Sequence, residues 1–140
     1  MAFNIAAKFS LQDSTTLHLV DPDTGEKLYD SDDETKPFTI DVYGPSSKQY
    51  RNWLAAAQRK ADKESKQNGG KPKVKSPDEQ LADTADFLAQ LSIKASNFDT
   101  GDGPIATKEA FVELYSNVKL MWIVEQVAKV LGEPGAFLQK

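Results

Sequence analysis

Apolar and polar residues alternate over residues 38–43, with Phe38, Ile40 and Val42 on one side and Thr39, Asp41 and Tyr43 on the other. A period of two belongs to a strand with one face buried and one wet. Over residues 15–20, Leu17 and Leu19 share a side and His18 takes the other, which predicts a second strand with His18 half exposed. Between the two, Asp21-Pro22-Asp23-Thr24-Gly25 predicts a tight reversal, because proline suits the second turn position and glycine accepts positive φ. A short strand at Lys27 to Tyr29 returns from it. The connection over 30–37 carries Asp32, Asp33 and Glu34 in a row, and like charges this close predict a solvent-facing segment. So little sheet is marginal alone, so it needs the early strip Phe3 to Phe9, a helix or a partner to cover it.

The period then changes to that of helices. Gly44 and Pro45 stop the strand, and Ser46 with Gln49 three residues on has the form of a capping box. Tyr50, Trp53, Leu54, Ala57 and Ala61 fall on one stripe of the helix that follows, which ends between Glu64 and Gln67 ahead of Asn68-Gly69-Gly70. Because this helix leaves the sheet directly, Trp53 is expected to close the sheet's apolar face, and its loss to cost about 3 to 5 kcal/mol. From Lys66 to Lys75 only Val74 is apolar, which predicts a mobile basic loop. Ser76 as cap, Pro77 at the first helical position and Glu79 at the third open a second helix, with Leu81, Ala85, Leu88 and Leu91 inward, Phe87 at the edge and an end by Asn97. Thr107 caps a third. Phe111, Leu114, Tyr115 and Val118 face one way there, while Leu120, Ile123, Val124, Val127 and Leu131 lie about 180° around, so the helix is either buried on both sides or, the preferred reading, broken near Ser116 and Asn117. The last helix stops at Gly132, before Pro134, leaving a short tail in which Phe137 and Leu138 either dock back or bind a partner.

These elements predict an α+β chain: a small N-terminal β subdomain over residues 1–44, then a helical domain of about four helices over 45–140, with the mobile basic loop at about 66–75. The composition narrows the chemistry. The 140 residues include no cysteine and one histidine, so disulfide, thiolate and Cys-ligated zinc chemistry are absent and histidine-based triads are disfavoured. The net charge of -4 argues against a dedicated nucleic-acid binder, no apolar run approaches a membrane span, and residues 1–10 lack a signal-peptide pattern. Charge is unevenly placed: residues 1–43 carry -6, residues 44–77 carry +7 and residues 78–140 carry -5. The basic middle reads either as a solvated linker or as a surface for an acidic partner, including the acidic ends of a neighbouring copy.

Few residues are placed for catalysis or metal binding. Around Asp99 and Asp102, and around Asp21 and Asp23, glycines stand where a calcium loop needs oxygen ligands. Asp83 and Asp86 share a helix face as surface carboxylates commonly do. Lys71, Lys73 and Lys75 near Gly69 and Gly70 lack the order of a phosphate loop. Tyr50 and Trp53 in the basic segment have core-like spacing and form no stacking platform for bases. No cofactor, metal or catalytic residue is expected.

Three segments are informative together: Asp21 to Glu26 (DPDTGE) after a strand, Phe38 to Arg51 (FTIDVYGPSSKQYR), and Glu113 to Val127 (ELYSNVKLMWIVEQV) with Gly135 to Leu138 (GAFL) after it. Over about two thirds of its length, from about Val20 to Glu64 and from about Thr107 to Leu138, the chain resembles the small tail assembly chaperones of long-tailed bacteriophages. The resemblance implies a non-enzymatic protein of the host cell cytoplasm, absent from the mature virion, that binds the tape-measure protein and helps bring tail-tube protein to it. Some such chaperones also exist in a frameshifted long form. The Lys66 to Lys75 segment has no counterpart in the resemblance. Trp122, Leu120, Tyr115, Phe137 and Leu138 are the expected partner-binding residues, for the tape-measure protein or for self-association, with no membrane and no nucleic acid involved. The alternatives are a structural tail-tube or head-tail connector protein, and a small nucleic-acid-associated regulator using Gly44 to Pro77.

Overall fold

The computed structural model describes residues 2, 4–6, 10–31, 33–71 and 74–138, with Asp33 described by its backbone alone. The expected strip Phe3 to Phe9 and the centre of the Lys66 to Lys75 loop therefore lie largely outside the described residues.

The chain is α+β. Strand β1 (Ser14–His18) pairs antiparallel with β4 (Thr39–Tyr43), and the register places Leu17 opposite Ile40 and Thr15 opposite Val42. Ile40 and Val42 are fully buried, as alternation requires, while Thr16 on the opposite face donates to the Asp41 carboxylate at 2.6 Å. The turn after β1 forms as expected. The Asp21 carboxylate accepts from the N–H groups of Asp23 and Thr24 at 2.8 and 3.3 Å, and Gly25 takes φ +77°. The acidic connection faces solvent as expected, with Ser31, Glu34, Thr35 and Lys36 exposed, but with one correction: β3 (Asp33–Pro37) is a strand paired with β2 (Tyr29–Asp30) in a second, two-stranded sheet. An exposed edge strand is where charged side chains are tolerated, since only the backbone is paired.

The helices are α1 (Lys48–Gln67), α2 (Pro77–Leu91), α3 (Lys108–Ser116) and α4 (Met121–Leu131). Ser76 and Thr107 cap α2 and α3, their hydroxyls accepting from the N–H groups of Glu79 and Ala110, each at 3.2 Å. For α1 the cap is Ser47 in place of the expected Ser46: its buried hydroxyl accepts from the Tyr50 N–H at 3.1 Å and donates to the Gly44 carbonyl at 2.6 Å. The break between α3 and α4 falls at Asn117, followed by a single 3-10 turn, Val118–Leu120.

The second correction concerns the end of α2. The helix stops at Leu91, and Ser92–Ser96 forms strand β5, antiparallel to β4 with Thr39 opposite Ser96. The main sheet thus has the order β1-β4-β5, with its third strand contributed from between the helices. One core joins both parts: Leu19, Ile40 and Val42 from the sheet side pack with Ala85, Leu88, Phe111, Tyr115, Val124, Val127 and Phe137.

Candidate protein-binding surfaces

The five residues expected to bind a partner do not form one surface. Tyr115 is fully buried, stacked on Phe111 at 5.6 Å, with its hydroxyl 2.7 Å from the Ser92 hydroxyl. Ser92 in turn donates to the Leu88 carbonyl at 2.7 Å, so the pair seals the α2 to β5 junction. Burial pushes the Tyr115 pKa above its ordinary 10.0. Phe137 is fully buried too, seated against Gly44 where a side chain would collide with its ring. Leu138 is half-buried and bridges to Leu11, so the tail docks back onto the chain. Tyr115 and Phe137 are therefore core residues of this chain, a correction to their expected place on a binding surface. Leu120 and Trp122 remain half-buried against the core.

Trp122 meets the Asp21 to Gly25 turn. Together with Val20, Glu125, Gln126 and Lys129 they line a concavity of about 510 Å³. Its floor is held by Gln126, whose amide mimics a strand partner: Val20 N–H donates to Gln126 Oε1 at 2.9 Å, and Gln126 Nε2 donates to the Val20 carbonyl at 2.8 Å. This residue escaped the sequence reading, since a glutamine on the flank of an apolar helix face carries no signal of its distant partner.

The second surface is formed by α1 and α2. Trp53 was expected on the sheet. It lies instead on Phe87 of α2, ring centroids 4.0 Å apart, with Tyr50 edge-on to the same ring at 6.1 Å. Among the described residues the extensive contact of α1 is with α2, and none of its twenty residues is buried. Leu54, on the same stripe, is 52% exposed. Trp53, Ala56, Ala57, Lys60, Ala61 and Glu64 on α1, with Lys75 before α2 and Asp83, Asp86 and Gln90 on it, line an open groove of about 470 Å³. Asp83 and Asp86 each have a cationic partner: Lys75 on Asp83, and Lys108 of α3 on Asp86 at 3.0 Å. The Asp83 hydrogen bond raises the Lys75 pKa.

The side chains that sequence singled out for possible chemistry make structural contacts. His18, half-buried, has Nε2 2.8 Å from the Leu28 carbonyl and its ring edge-on to Tyr29 at 5.0 Å, so it ties β1 to the following segment. Asp99 accepts from the Gly101 N–H at 2.7 Å, shaping its own loop. Among the described residues no three His, Asp or Glu side chains are grouped to hold a metal ion, and no helix is long and apolar enough to cross a membrane. No family model, curated protein or solved structure matches the chain.

Proposed function

We propose that this protein is a non-enzymatic tail assembly chaperone of a long-tailed bacteriophage, which holds the tape-measure protein in the host cytoplasm, aids the addition of tail-tube protein, and is absent from the finished virion. The observation that carries the reading is α1: a helix about 30 Å long at 1.5 Å per residue, with no buried residue and only one edge covered. A helix left this bare suits recognition in which a partner helix lies along an apolar groove.

The groove's chemistry supports a long helical ligand. Ala56, Ala57 and Ala61 are small, so a second helix backbone can approach closely, and Trp53, backed by the Phe87 ring, offers an apolar wall. Lys60, Lys75, Glu64, Asp83 and Asp86 place both signs along the rim, which fixes register more than strength. Such a contact is modest in area, as reversible holding requires.

Coexpression with the tape-measure protein, followed by copurification of the tagged complex, tests this. Wild type is expected to retain the tape-measure chain, and the paired change Leu54→Glu and Ala61→Arg to reduce its affinity at least tenfold with an unaltered circular-dichroism melt, since Leu54 and Ala61 are exposed. A wild-type protein that leaves the tape-measure chain behind, or variants that bind it unchanged, overturns the reading.

A further inference from the structure

Among the described residues the face of α1 turned away from most of the groove is unpartnered, and it is strongly cationic. At about 100° per residue Lys48, Arg59 and Lys66 fall within about 20° of one another, with Arg51 and Lys63 at about 60° to either side. All five are exposed, and none takes part in an ion pair among the described residues. The acid on this face, Asp62, accepts a hydrogen bond from Gln58 at 3.4 Å. The stripe runs about 27 Å from Lys48 to Lys66 at the helical rise.

A complementary surface exists on the same chain, built from elements that make no extensive contact with α1. It is the concavity of Trp122, where Asp21, Asp23 and Glu125 set three carboxylates against the single ammonium of Lys129, with Glu26 exposed just beyond the turn. An indole between carboxylates is suited to a guanidinium or ammonium group, which gains from the ring face and from the flanking charges together.

We propose that α1 docks through this outward face onto the Trp122 face of a second copy of the chain. The argument is charge complementarity: residues 44–77 hold an excess of +7, while the rest of the chain holds -6 and -5 on its two sides. The two faces differ, so the contact is head-to-tail, and repetition of it produces a ring or an open row of copies. The groove between α1 and α2 is centred about 150° around the helix from Lys48 and Lys66, so it lies mostly clear of this contact, with Lys63 at its border beside Ala56. The inference does not depend on what the groove holds.

The test is sedimentation velocity of the full chain over a range of concentrations at low salt (about 0.02 M) and at about 0.5 M, where screening is nearly complete beyond contact. Mass should rise with concentration at low salt and fall to that of one chain at high salt. The double reversal Arg59→Glu with Lys63→Glu, and separately Asp23→Arg with Glu125→Arg, should each weaken association at least tenfold. All four positions are exposed, so folding is spared. Mixing the two variants should restore it, because each then meets a face of opposite sign. A single-chain mass at every concentration in low salt, or reversals that leave association unchanged, overturns the proposal. So does a wild-type protein that stays single while binding a DNA or RNA oligonucleotide through the same five cations.

Discussion

Gly44→Ala is expected to destabilise the protein by steric conflict at a site where nothing else is wrong with alanine. A Cβ at position 44 would stand 2.5, 2.6 and 3.0 Å from Cδ1, Cε1 and Cγ of Phe137. Carbon atoms settle at about 3.5 to 4.0 Å, so ring or backbone must retreat by about 1 Å. Neither is free to. Phe137 is fully buried, and its carbonyl accepts from the Gln12 N–H at 2.6 Å. Gly44 donates to the Asp13 carbonyl at 2.8 Å and accepts from both the N–H and the hydroxyl of Ser47, at 3.0 and 2.6 Å. The φ of Gly44 is not positive, so alanine's backbone is allowed and by itself would stabilise by about 0.4 to 1 kcal/mol through the unfolded chain. Overpacking costs about 1 to 3 kcal/mol, and the contact at Gly44 is severe enough to sit in the upper half of that range, which leaves a net loss of about 1 to 2.5 kcal/mol. Urea unfolding followed by tryptophan fluorescence should show the midpoint fall by about 0.5 to 1.25 M at a slope near 2 kcal/mol/M. Gly135→Ala, with open space around its Cβ, is the control and should change stability by no more than about 0.5 kcal/mol. Phe137→Leu vacates the space, so combined with Gly44→Ala it should cost less than the sum of the singles by about 1 kcal/mol or more. A tolerated Gly44→Ala whose effect adds independently to that of Phe137→Leu refutes the reasoning.

Gln126→Ala removes both hydrogen bonds to the half-buried Val20 backbone and should cost about 2 to 3 kcal/mol. Gln126→Glu should do no better, because a carboxylate cannot donate to the Val20 carbonyl; equilibrium unfolding that puts either within 0.5 kcal/mol of wild type, about the usual surface effect, would speak against the clamp. Trp53→Ala should cost only about 1 to 2 kcal/mol, less than sequence position implied, since the ring is half-exposed on Phe87. Hydrogen exchange should then quicken in α1 while the sheet keeps its protection, and global unfolding on this change would refute it. For Tyr115, burial raises the folded pKa above 10.0, so the folded chain keeps a proton that the unfolded chain releases. Its contribution is whole below about pH 10 and is lost as pH rises further, so Tyr115→Phe should lose less stability than wild type above that pH. Parallel curves for the two proteins would contradict this.

Local signals named most element boundaries. Ser76-Pro77 and Thr107 start their helices because each hydroxyl satisfies a bare N–H, and Asn117 ends one because its side chain accepts from Lys119 N–H at 3.0 Å instead of continuing the turn. The Asp21 turn is likewise self-contained. What failed was decided by distant partners. Leu88, Leu91 and Ala95 keep helical spacing, so Ser92 to Ser96 reads as more of α2; it becomes a strand because β4 presents an open edge there. Ser92 and Asn97 were the faint indications: Ser92 turns its hydroxyl back on the Leu88 carbonyl, and Asn97 takes φ +69° and donates to the Pro37 carbonyl at 2.7 Å. In the concavity beside α4, Trp122 and the Asp21 turn were each visible in sequence, but their meeting was not, because it depends on Gln126 reaching Val20 across 106 positions.

The contrast between α1 and α4 shows why periodicity reports a need for cover without naming the cover. Both helices carry a clear apolar stripe. In α4, Ile123, Val124 and Val127 go into the core and the stripe is consumed by folding. In α1 the stripe of Tyr50, Trp53 and Ala57 gains only Phe87 and its groove, while Leu54 and Ala61 stay in solvent. Alanine at 55, 56, 57 and 61 supplies helix propensity without needing burial, so α1 can persist with little tertiary support. A helix stabilised in that way keeps its faces available. The alternation of apolar groove and basic ridge around α1 then places two different contacts on one element, each able to form without displacing the other.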